Sequence, residues 1–266
     1  MCWKKEVAMN NFFDLKRFLR LFVKQTVEHY RTYLMSVAVL AGVMLLGGGF
    51  LFFVIPEPPD TGMQNAMFVI LMLIAGTIFT STVFNDYGDK SKAIAAVTLP
   101  ATAFEKFLVG WLYSYPIFMI VYTGVFYLVL IGLGTMRHWP AGQHFDILSL
   151  RQDMITVILV IYSILHAVSI FGAILFKKLH FIKTGFAFFI GYAFIMIANT
   201  LFLKAITGLN VIKFAIPYGY LNFDAGTKYY SIAAVGPISL SVVITLWAIA
   251  LLIWVAAYFR LKEKQV

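Results

Sequence analysis

The 266-residue chain has little cysteine and little charge. Cys2 is its only cysteine, which excludes an internal disulfide and a cysteine-based metal cluster. Charged residues make up 12% of the chain, against about 25% in soluble domains. Hydrophobic residues make up 61%, and the mean hydropathy is +0.86. A soluble core could not hide that much apolar surface, so the composition indicates an integral membrane protein.

Motifs of enzymatic chemistry are also missing. The sequence has no Gly-Lys dipeptide, so it lacks the GxxxxGK[ST] loop that binds nucleotide phosphates. It has no HExxH and no GxSxG motif. We therefore expect that the chain is not an enzyme and binds no cofactor or metal of its own.

The long apolar runs contain no Asp, Glu, Lys or Arg in their interiors. Runs of this length predict transmembrane helices, whereas β-barrel strands would alternate in polarity. The predicted fold class is an all-α integral membrane protein with six transmembrane helices. Pro116 is expected to bend the third of them, because proline removes a helical hydrogen bond. The predicted spans cover residues 34–55, 66–84, 107–134, 154–176, 185–203 and 237–259.

The residues before the first span form a segment of different character. On a helical wheel, aromatic and leucine side chains fall on one arc and basic side chains on another. This pattern predicts an amphipathic helix that lies in the interface of an anionic membrane leaflet, within a cytoplasmic segment over residues 1–33. The alternative is a helix packed on a soluble domain, but residues 34–266 are taken up by the six-span domain. Met1 and Met9 are alternative starts of the chain.

Basic residues segregate to one side of the predicted topology. With a cytoplasmic N-terminus, sixteen Lys and Arg residues lie inside and five outside. This asymmetry predicts cytoplasmic termini in a membrane of the bacterial cytoplasmic (inner) type. Because orientation accounts for the net charge of +9, nucleic acid is not an expected partner.

Two outer segments stand out. Residues 204–232 are too polar to span but are rich in Ile, Phe and Tyr, which predicts short re-entrant helices before the last span. The loop over 136–153 holds His138 and His144 near Trp139. Metal binding and interfacial anchoring by the tryptophan are both open interpretations there, and the second is favoured.

One ionisable residue lies deep within a span. His166 is flanked at helical spacing by Ser163 and Ser169. These side chains are candidates for a polar point on a substrate path. The favoured alternative is a neutral histidine that is hydrogen-bonded to a neighbouring helix.

The longest polar interruption in the first half of the chain is FNDYGDKSKAIAAVTLPATAFEKFLVGW, residues 84–111. It contains Leu99-Pro100, then Glu105-Lys106 and Phe107 at the start of the next apolar run. This order resembles the membrane subunits of type-2 ATP-binding-cassette (ABC) transporters, where a Leu-Pro … Glu/Lys … Leu pattern follows the second span. The layout of six spans with a coupling loop over about 85–106 is similar to that family as well.

The resemblance implies a mechanism and partners. Two permease subunits would pair as a homo- or heterodimer, and each would rest on a separate cytoplasmic ATPase that uses ATP. A short helix over residues 90–98 would dock on that ATPase; the alternative is a solvated linker. Thr102 and Glu105 would form a capping box at the third span. The candidate coupling residues are Asp89, Lys90, Lys92, Ala93, Ile94, Val97, Leu99, Pro100 and Glu105.

Three functions are therefore considered: an ABC permease subunit, a carrier driven by an ion gradient, and a non-transporting scaffold or sensor subunit. The resemblance implies export. The lack of charge inside the spans disfavours the carrier, because ion pathways use buried ionisable groups.

Overall fold

The computed structural model describes residues 13–55, 57–88, 100–137, 139, 144–150, 152–177, 179–208, 212–217, 221–225, 228–232 and 240–264. Six helices in this part of the chain are long and apolar enough to cross a membrane. The predicted six-span, mainly helical architecture is confirmed at this level, and it indicates a multi-pass membrane protein.

The helices are α1 (Leu15–Val54), α2 (Thr61–Gly88), α3 (Ala103–Leu112), α4 (Phe118–Met136), α5 (Gln152–Leu175), α6 (His180–Thr207) and α7 (Leu240–Glu263). A π-helical turn, Tyr113–Ile117, joins α3 to α4, and the three together form the third span. The strands are β1 (Ile212–Ala215), β2 (Leu221–Ala225) and β3 (Lys228–Ile232).

Helix α1 corrects the predicted boundary at residue 33. The structure shows one unbroken helix of 40 residues, so the N-terminal segment is not a separate helix in front of the first span. At 1.5 Å per residue it is about 60 Å long, roughly twice the thickness of a hydrocarbon layer. No proline or glycine occurs between Asp14 and Gly42, so nothing ends the helix there. Residues 1–12 lie outside the described residues.

The first and third spans run side by side in the same direction. Phe22 of α1 stacks on Tyr113 with ring centroids 4.8 Å apart, and Gly48 faces Leu133 near the other end. Phe18 and Phe22 of the N-terminal segment therefore pack against protein.

Helix α5 is the central helix of the bundle. In the most apolar stretch of α5, 61% of the residues are buried, against 39% or less in the corresponding stretches of the other spans. It packs against α2, α6 and α7. Close approach to α2 depends on Gly76, since a Cβ there would lie 2.4 Å from the Tyr162 ring.

Charged groups collect at two ends of the bundle. Arg17, Asp86 and Glu105 lie at one end, together with Lys264, and we call this the basic end. Asp60 and Arg137 lie at the opposite end, where the Arg137 Nη1 donates to Ile55 O at 2.8 Å.

The segment before α7 corrects a second prediction. The described residues between 204 and 232 form an antiparallel sheet in the order β1-β2-β3 after the end of α6, where short re-entrant helices were predicted. In β2, Leu221 and Phe223 alternate with Asn222 and Asp224, which is a period of two and so favours a strand. Pairing of β2 with both neighbouring strands satisfies backbone groups there without helices. Asn199 of α6 holds the sheet through its Nδ2, which donates to Ala215 O at 2.9 Å.

Pro116 lies inside the π-helical turn. Proline has no N–H to donate, and the Phe118 N–H reaches back five residues to Tyr113 O. The wider turn therefore interrupts the α-helical hydrogen bonding where the sequence predicted an irregularity.

Candidate functional site

The candidate coupling loop leaves α2 at Gly88 and enters α3 at Ala103. Pro100 is exposed at its end. Seven of the predicted coupling residues lie outside the described residues, and their roles stay predictions: Asp89, Lys90, Lys92, Ala93, Ile94, Val97 and Leu99.

The start of α3 confirms the predicted capping box. The Glu105 N–H donates to the Thr102 Oγ1 at 3.2 Å, and the Thr102 N–H donates to the Glu105 Oε2 at 3.0 Å. These two bonds satisfy backbone donors that a helix start otherwise leaves unpaired.

Glu105 has a second role that the local pattern did not indicate. Its carboxylate receives both Nε and Nη2 of Arg17, at 2.6 and 2.7 Å, and the Asp14 N–H at 2.8 Å. With the Thr102 N–H, four donors fill the acceptor positions of a side chain that is 0% exposed. Because Asp14 also caps α1, the starts of α1 and α3 are joined at one carboxylate.

No pattern in the sequence identifies the partner of Arg17. Arg17 and Glu105 are 88 residues apart, and the helical wheel groups Arg17 with the other basic side chains of the N-terminal segment. Arg20 and Arg31 on the same arc are exposed, whereas Arg17 turns inward to the carboxylate.

The other end of the loop is also fixed. Gly88 approaches the end of α5 so closely that a Cβ would lie 2.5 Å from Ala173 O. The Lys264 Nζ donates to Tyr87 O at 2.8 Å and to Ile174 O, so one ammonium group caps the C-terminal ends of both helices. Burial, together with the positive charges of Arg260 and Lys177, lowers the pKa of Lys264.

A buried polar cluster lies about two helical turns from the basic end. The His166 Nε2 is 2.9 Å from the Ser114 Oγ, and the Trp254 Nε1 donates to the His166 Nδ1 at 3.1 Å. Tryptophan can only donate, so Nδ1 carries the lone pair and Nε2 carries the proton. The Ser114 hydroxyl accepts from Nε2 and donates to Gly110 O at 2.8 Å.

The cluster joins the third, fourth and sixth spans. Tyr115 and Ser163 share a hydrogen bond of 2.7 Å, and the Tyr162 hydroxyl donates to Ser114 O at 2.8 Å. Ser169 is buried one turn further along but makes no hydrogen bond to the cluster among the described residues. This geometry agrees with a neutral histidine that links helices, and a substrate path through it stays a prediction.

At the opposite end, Gln64 holds a loop that sequence reasoning did not single out. Its Nε2 donates to Pro59 O and to Asp146 O, each at 2.8 Å, and its Oε1 accepts the Leu148 N–H at 2.9 Å. The side chain is fully buried, so this amide fastens the segment 144–150 to the start of α2.

No group of three or more His, Cys, Asp or Glu side chains that could hold a metal ion occurs in the ranges that the structure describes. His144 lies in those ranges and His138 does not.

Comparison of the chain with protein-family models, with curated proteins and with solved structures finds no match.

Proposed function

We propose that this chain is the transmembrane permease subunit of an ABC transporter. It exports its substrate with ATP that a separate cytoplasmic ATPase subunit hydrolyses. The observation that most supports the proposal is the fully buried Glu105, which ties the exit of the candidate coupling loop to α1 and to α3 at once.

A coupling loop must pass force to the spans, and this loop is attached at both ends to helix termini. At its exit the Glu105–Arg17 pair moves the first and third spans together. At its entry Gly88 and Lys264 connect α2 to α5 and to the end of α7. A push on the loop is therefore distributed to five of the six spans, rather than being absorbed by a free linker.

In this proposal the basic end faces the cytoplasm, and the membrane is the cytoplasmic membrane of a bacterial-type cell. The excess of Lys and Arg supports that orientation. A second permease subunit, identical or homologous, completes the transport pathway. The exposure of α6 supports a contact with lipid or with the second subunit, since only 11% of the residues in its most apolar stretch are buried.

The proposal is tested by replacing Ala93 and Ile94 with Asp in a tagged full-length chain purified from the membranes of its native host. The wild-type preparation is expected to contain a stoichiometric subunit with a Walker A motif and to hydrolyse ATP. Two carboxylates on the apolar side of the docking helix would prevent its insertion into a groove. We expect the variant to lose both the subunit and the ATPase activity.

The matched control is Leu179→Asp with Ile182→Asp, two exposed apolar residues just before and within the first turn of α6 at the basic end. The control should keep the ATPase subunit, and both variants should unfold at the wild-type temperature. If the purified chain in liposomes moves substrate along an ion gradient without an ATPase, the chain is a carrier and the proposal is wrong. No flux under either energy source would favour the scaffold or sensor subunit.

A further inference from the structure

The face of α1 that points away from the bundle is apolar along one row and basic along the next. Leu15, Leu19, Val23 and Val27 follow each other at four-residue spacing, and each is between 52% and 65% exposed. A second row at the same spacing lies beside it and holds Lys16, Arg20 and Lys24. Together the two rows form a stripe along α1 that is apolar on one side and cationic on the other.

The opposite face of the same segment is already occupied. Phe18 is buried, Phe22 stacks on Tyr113, and Tyr33 stacks on Tyr113 at 5.1 Å. Arg17 is held by Glu105. The exposed stripe is therefore not the side with which α1 contacts its own bundle.

The cations of the stripe are available for an external anion. Within the described residues, the side chains of Lys16 and Arg20 form no ion pair. Lys24 makes only a loose contact of 3.5 Å with Glu28, and both side chains are about half exposed. The side chains of Leu19, Arg20, Val23, Lys24, Val27 and Glu28 line one shallow groove.

We infer that this groove binds the headgroup of an anionic phospholipid from the leaflet at the basic end. Because α1 continues without a break into the first span, the stripe lies on the part of the helix that precedes that span at the basic end. The phosphate lies between Arg20 and Lys24, and the acyl chains follow the apolar row toward the membrane. Glu28 is the one acidic side chain on the groove and opposes the headgroup charge. The inference needs no ATPase partner, so it stands apart from the proposed transport function.

The test uses full-length protein stripped of lipid in neutral detergent and titrated with phosphatidylglycerol or phosphatidylcholine. Native mass spectrometry reports the lipid bound per chain. Wild-type protein is expected to prefer phosphatidylglycerol. Arg20→Gln with Lys24→Gln should weaken its binding about twenty-five-fold, since each basic residue near an anionic surface contributes about a factor of five. Raising the salt concentration should weaken wild-type binding in the same direction.

Two further variants make the test specific. Lys177→Gln with Lys183→Gln removes two exposed cations at the same end and should leave lipid binding unchanged. Glu28→Gln should strengthen phosphatidylglycerol binding about five-fold, because it removes the opposing charge and frees Lys24. The inference is overturned if the control pair loses as much affinity as the groove pair, or if both lipids bind equally well. It is also overturned if the groove variants change the oligomeric mass of the particle while lipid affinity stays the same.

Discussion

Glu105 and His166 show two ways in which this bundle holds an ionisable side chain. Glu105 lies at the basic end as a carboxylate with four hydrogen-bond donors, two of them from a guanidinium. His166 lies deeper, where an uncompensated charge is costly, and its two ring nitrogens face one donor and one hydroxyl. The surrounding groups fit a charged residue in the first case and a neutral residue in the second.

At the residue scale, we predict that Glu105→Ala destabilises the protein by about 3 kcal/mol, because Arg17 and two backbone N–H groups then lose a buried partner. The measurement is the free energy of unfolding in detergent micelles. Glu28→Ala breaks an exposed pair with Lys24 and should cost less than about 1 kcal/mol. Equal losses in the two variants would show that the Glu105 network is not stabilising.

The sequence predicted only the local half of this network. A capping box is a pattern of four residues, so Thr102 and Glu105 could be identified from their spacing. The Arg17 pair depends on how α1 lies against the third span, and no local pattern contains that information. For the same reason the Trp254 donor to His166 could not be assigned, although the favoured neutral histidine required some partner of this kind.

At the scale of the element, the π-helical turn changes the hydrogen bonding of one carbonyl. In an α-helix the Phe118 N–H would serve Ser114 O, but here it reaches Tyr113 O. Ser114 O thus lacks the N–H that an α-helix would provide from Phe118, and the Tyr162 hydroxyl donates to it at 2.8 Å. The irregular turn and the neighbouring span therefore depend on each other.

This dependence predicts different outcomes for the same substitution at two buried tyrosines. Tyr162→Phe removes the hydroxyl that donates to Ser114 O in place of the α-helical Phe118 N–H, and should cost about 2–3 kcal/mol of unfolding free energy. Tyr122→Phe removes a 2.7 Å bond to Phe68 O, which lies within the regular helix α2 and keeps a backbone donor, so about 1 kcal/mol is expected. Both side chains are 0% exposed, which makes the pair a matched comparison. A larger loss for Tyr122→Phe would contradict the argument.

Elements were predicted well where periodicity was long and poorly where it was short. Spans of about twenty apolar residues left little ambiguity. The strands before α7 are four or five residues each, and their aromatic content was interpreted as interfacial helices. The length of α1 was missed because a change from amphipathic to apolar sequence was taken as a helix end, whereas neither proline nor glycine is present to end it.

At the scale of the whole molecule, the six spans and the charge distribution predict the side on which each loop is found. In a Cys2→Ser background, Asp60→Cys should react with a membrane-impermeant maleimide in intact cells. Pro100→Cys, also at an exposed position, should react only after the membrane is permeabilised. Labelling in the reverse order would show the opposite topology and would contradict the cytoplasmic position that the proposed coupling role of residues 85–106 requires.

The length of α1 has a mechanical consequence. From Leu15 to Arg31 the helix extends about 25 Å beyond its charge-free part, with unbroken backbone hydrogen bonds. Such a rod works as a lever: a tilt of about 10° within the bilayer sweeps its N-terminal end sideways by about 4 Å. At that end Arg17 binds Glu105. A small rotation of the first span would therefore move the start of α3, where the candidate coupling loop ends, by several ångströms.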